Sequence, residues 1–110
     1  NKEIGSVNMG WAIFVFELHS DLYCDETKVD GLTEFDSRII KLEMSLSDID
    51  ARETIIHEIY HCMLEGCGLD EKNFDNNRMF VTNEQLVVAL SKQTMLIHTL
   101  NPNLHITIYA

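Results

Sequence analysis

The segment Thr54-Ile-Ile-His57-Glu58-Ile59-Tyr60-His61 holds the residues best equipped for chemistry. Its His-Glu-x-x-His spacing lies among apolar residues that recur at helical intervals. Side chains four apart on a helix are neighbours, so the imidazoles of His57 and His61 can share one metal ion. Glu58 projects about 100° around the axis from His57. That sets a carboxylate beside the ion, where it can take a proton from a bound water. Zinc held by two histidines next to a general base is equipment for hydrolysing a peptide bond.

A catalytic zinc takes three protein ligands and keeps a position open for water. Glu84 is the strongest third ligand, because Phe80, Val81, Val87 and Val88 surround it in sequence. A carboxylate in such company is costly to ionise unless a cation meets it. The alternative is an exposed glutamate favoured by a helix start. Cys67 competes, six residues after His61, as do Asp70 and Asp75. A HExxHxxGxxH pattern is absent, because Leu64 stands where its glycine belongs. His98 lies about 21 Å along the helix from Glu84, too far to share the ion. Tyr23, Tyr60, His98, His105 and Tyr109 are possible oxyanion donors, and the sequence does not choose among them.

The elements that must position these residues follow from periodicity. Trp11 to Leu18 reads as a strand, and so does Leu22 to Val29, with Asp30-Gly31 as a turn. The alternation through Ser37 to Glu43 predicts a strand near a sheet edge, open to pairing with an extended substrate. A helix is expected from Asp48 to Glu65, capped by Ser45 or Ser47 and ended by Gly66 and Gly68. Its expected core stripe is Ile49, Ile56, Ile59, Tyr60 and Met63. A polar loop covers Gly66 to Asn77. A second helix is expected from Arg78 to Leu100, with Met79, Leu86, Leu90 and Ile97 on one face and Asn101-Pro102 as its stop. His105 to Tyr109 alternates as a short strand would. The fold class is α+β, a small antiparallel-containing sheet packed against two long helices.

These residues also carry a family likeness. The run from Gly31 to Leu104 resembles the short zincin-like metallopeptidases of tailed phages and prophages, relatives of the ImmA/IrrE peptidase group. The matching text is Ile39-Ile-Lys-Leu42, Ser45-Leu-Ser47, His57-Glu-Ile-Tyr-His61, Gly68-Leu69-Asp70, Asn83-Glu84 and Asn101-Pro102. Asn83-Glu84 also looks like the third-ligand motif of gluzincins. The resemblance implies a minimal zincin-like fold, zinc on His57, His61 and Glu84, and Glu58 as catalytic base. Tyr60 departs from it, standing where small or apolar residues are commoner.

Composition bounds the alternatives. At 110 residues the chain is sized for one domain, 1–110. A formal charge of −10 argues against nucleic acid or an anionic membrane as partner and leaves a protein or peptide substrate. Three cysteines without a CxxC argue for reduced thiols. Neither a membrane-length apolar run nor a leader is visible, so a soluble protein of the cytoplasm is expected, the host's if the chain is phage encoded. Two rival functions remain at this level: a zinc-bound module that grips a protein without hydrolysis, and an acidic mimic of nucleic acid. The acidic residues are dispersed along the chain, which weighs against the mimic.

Overall fold

Alternating side chains and one amphipathic helix account for most of the core. The computed structural model describes residues 2–69 and 83–104. Along them run β1 (Lys2–Asn8), β2 (Ile13–His19), β3 (Tyr23–Cys24), β4 (Thr27–Lys28), β5 (Gly31–Glu34), β6 (Ile39–Glu43), α1 (Asp48–Gly66) and α2 (Asn83–Leu100). Four strands form one mixed sheet in the order β1-β2-β6-β5, and β3 and β4 form a separate hairpin. β1 and β5 run antiparallel to their neighbours, whereas β2 and β6 are parallel. The fold class is therefore α+β.

In β2, Phe14 and Phe16 are fully buried while Ile13 is exposed, and β6 buries Ile40 and Leu42 on the same face. This is the period of two that a pleated strand imposes. Those side chains join Ile55, Ile59, Cys62 and Met63 of α1, and Ile97 of α2, in one apolar cluster. Asn101 ends α2 and ties it to β1. Its Nδ2 donates to Ile97 O at 2.8 Å and to Asn8 O at 2.6 Å, and its Oδ1 accepts from Asn8 N at 2.7 Å. No helix among the described residues is long and apolar enough to cross a membrane.

Several expectations need correction. β6 is not at an edge but lies between β2 and β5, so its backbone is already paired on both sides. Among the described residues the edge strands are β1 and β5, and β5 is the one beside α1. Gly31 opens that strand instead of closing a turn, and β1 appears where no strand was expected. The Leu22–Val29 strand is a two-rung hairpin, because Asp25, at φ 57°, reverses the chain. The buried stripe of α1 is Ile55, Glu58, Ile59, Cys62 and Met63, rotated from the expected one. Ile49 is 73% exposed and Tyr60 49%. The observed set has the i, i+3, i+4, i+7, i+8 spacing of a core-facing helix, with Cys62 as a small apolar residue. The start of the second helix before residue 83, Met79, and the strand at His105–Tyr109 lie outside the described residues.

Candidate metal centre

Ser47 starts the helix that carries the motif. Its Oγ accepts from Asp50 N at 3.2 Å, and Asp48 and Asp50 lie in the first turn, where negative charge is favoured. Glu43, at the end of β6, fixes the approach to that cap. Its carboxylate accepts from Leu22 N at 2.8 Å and from Ser45 N and Oγ at 2.9 and 2.8 Å. These donors, Leu22 N–H first, hold Glu43 down from an ordinary 4.5 to about 2.

From this anchored start α1 presents His57, Glu58 and His61 on one side. One ligand atom of each lies within 4.8 Å of the others, so the group can hold a metal ion. The two imidazole rings are 5.0 Å apart, inclined at 66°. His57 is exposed and His61 half-buried, which leaves the group open to solvent. Two imidazole nitrogens beside a carboxylate are donors of the type zinc accepts.

Glu58 differs from the two histidines in being buried, at 6% exposure. The reason lies in β5. The register sets Gly31 opposite Leu42 and Thr33 opposite Ile40, on the face that α1 covers. Thr33 Oγ1 donates to Glu58 Oε1 at 2.9 Å, while Glu58 Oε2 stands 3.9 Å from His57 Nε2. Gly31 permits the approach. A Cβ there would sit 2.6 Å from Thr54 Cγ2 and 3.1 Å from Glu58 Cγ.

Two open hollows flank this meeting of strand and helix. One, of about 280 Å³, is lined by Asp30, Gly31, Glu53, Thr54, His57 and Glu58. The other, of about 320 Å³, lies between Gly31, Leu32, Thr33 and Phe35 on one side and His57, Glu58 and His61 on the other.

Comparison with known families, with curated proteins and with solved structures gives no match.

The structure brings His57, Glu58 and His61 together. It does not bring Glu84 into that group: Glu84 is exposed in the first turn of α2. Cys67 caps the far end of α1, where burial pushes its thiol pKa up and disfavours the thiolate a metal needs. Tyr23 and Tyr60 are exposed, and so is His98 in the last turn of α2. Asp70, Asp75, His105 and Tyr109 lie outside the described residues. Thr33 and Gly31 are the residues that sequence reading missed. Their only local signal was a threonine two positions after a glycine in a short run, which any surface turn also supplies.

Proposed function

We propose that the chain is a zinc-dependent peptidase of minimal zincin-like design. The observation that supports this best is the carboxylate of Glu58, held in a buried, hydrogen-bonded position within reach of two histidines on one helix. His57 and His61 would hold the ion, with Glu84 as third ligand. That last assignment rests on the resemblance carried by Asn83-Glu84 and on the packing of α2 against α1, and requires the exposed Glu84 to join a group it stands outside here. When bound, zinc supplies Lewis acidity and lowers the pKa of a water to roughly 7.

The chain's own residues do the rest. Glu58 accepts a proton through Oε2, its less engaged oxygen, and returns it to the leaving amine. An extended peptide has one sheet edge near the centre to pair with, β5. Asp30 O accepts from Glu43 N, so Asp30/Glu43 is a hydrogen-bonded pair of the ladder. By alternation, the N–H and C=O of Gly31 and Thr33 point away from β6, towards an added strand. Their side-chain positions meanwhile face Glu58.

Replacing Glu58 by Gln tests this reading. General-base loss costs about 10²- to 10⁴-fold in rate. With an unstructured protein as substrate, the account expects Glu58→Gln to keep its zinc and lose cleavage by that factor. Undiminished cleavage with zinc bound would exclude the role given to Glu58. A wild type that binds zinc and cleaves nothing would leave the non-hydrolytic binding module as the better reading.

A further inference from the structure

We infer that Thr33 is a positioning residue that keeps Oε1 of Glu58 from joining Oε2 on the metal, and so keeps the carboxylate from being captured as a chelating ligand instead of serving as a base. The inference rests on the metallopeptidase reading above and adds a residue to it. Glu58 lies close enough to the imidazoles for its own carboxylate to become a ligand, since the donor atoms of all three residues fall within 4.8 Å of one another. A carboxylate with both oxygens on the ion is no longer a free proton acceptor. Something must therefore set which of the two roles Glu58 takes.

Thr33 Oγ1 is placed to do so. It donates to Oε1 at 2.9 Å, on the side served by β5, and leaves Oε2 towards His57. One oxygen is thus tethered to the sheet, and the carboxylate cannot turn both oxygens to the ion without breaking that bond. Packing reinforces the tether. Glu58 belongs to the buried stripe of α1, and its side chain fills the space at Gly31, where a Cβ would fall 3.2 Å from Oε2. The hydroxyl sits on a residue whose backbone faces away from β6, so strand addition at β5 would press on the tether directly.

Cobalt(II) is a suitable probe, because its visible absorption reports the number and type of ligands. It should be titrated into the wild type, Thr33→Val, Thr33→Ser and the double variant Thr33→Val/Glu58→Gln, with cleavage measured on the zinc-loaded proteins. Valine keeps the shape and strand preference of threonine and removes only the donor. We expect Thr33→Val to change the cobalt spectrum towards higher coordination and to lower kcat about 10- to 100-fold with KM little altered, as displacement of a catalytic group does. Thr33→Ser should restore both, and Glu58→Gln should abolish the spectral change. If valine at 33 prevents folding, Thr33→Ala beside Thr33→Ser makes the same comparison.

Identical cobalt spectra for wild type and the donor-less variant would overturn the inference, as would a spectral change that persists without Glu58. A wild type that takes up no cobalt would overturn both this inference and the reading beneath it. Cobalt uptake without peptide cleavage would defeat the peptidase reading alone, and the spectra would still decide the role of Thr33.

Discussion

The two helices are nearly equal in length, 19 and 18 residues, yet they meet the rest of the molecule very differently. α1 buries Ile55, Glu58, Ile59, Cys62 and Met63 against β5 and β6. α2 buries Ile97 and leaves Val87, Val88, Met95, Leu96 and Leu100 exposed. The half of the site on α1 is thus fixed by packing, a capped start and a strand crossing close above it. The half assigned to α2, Glu84, stands exposed at a helix start. The base proposed here must be held within a fraction of an ångström of its working place, and of the two helices α1 provides that support.

Stability measurements can break this contrast. Truncating a buried aliphatic side chain costs about 2–5 kcal/mol, whereas an exposed change stays within about 0.5 kcal/mol. Urea unfolding should show Ile59→Ala near the first figure and Val87→Ala, at a site 56% exposed, near the second. Equal losses in the two variants would mean that α2 is covered in solution and that the asymmetry is wrong.

Gly31→Ala sharpens the claim that β5 fixes the α1 half. The new Cβ would lie 2.6 Å from Thr54 Cγ2 and 3.1 Å from Glu58 Cγ, so the strand or the helix must shift. Overpacking of this kind costs about 1–3 kcal/mol. Cleavage should fall further than the loss of folded protein explains, because Glu58 is displaced. A variant as stable and as active as wild type would show that the approach of strand to helix is looser than described.

The last test concerns the entry to α1. Glu43 has its pKa depressed from 4.5 to about 2 in the folded chain, so it favours folding whenever it is ionised in both states. That contribution is complete above pH 4.5 and is lost as pH falls from there towards 2. Thermal midpoints recorded across this window should decline for the wild type and decline less for Glu43→Gln. Parallel declines would locate the acid sensitivity in other carboxylates.

How much of this was legible beforehand differs between the same regions. The motif and the bounds of α1 follow from local patterns that a helix expresses within its own turns, and the same patterns narrow the cap to Ser45 or Ser47, of which the structure uses Ser47. The burial of Glu58 does not. It depends on β5 crossing α1, and β5 is four residues opened by a glycine that looks like a turn. Locally a glycine that bends the chain and one that lets a helix come close are the same letter. The order β1-β2-β6-β5 is set by pairing between distant segments, and the runs around Ile39 and Gly31 do not say which of them lies outermost. The stripe of α1 was misjudged for a related reason. Ile49 and Tyr60 have the right chemistry for a core, while Glu58 and Cys62 occupy the positions that face it.

The claim on which the account rests is that His57 and His61 bind one metal ion through α1. Zinc should be quantified in the purified wild type beside His57→Ala and His61→Ala, with each variant's fold checked by circular dichroism. The account predicts one zinc per wild-type chain and loss of zinc from both folded variants. A folded wild type that binds no zinc, or folded variants that keep theirs, would contradict it.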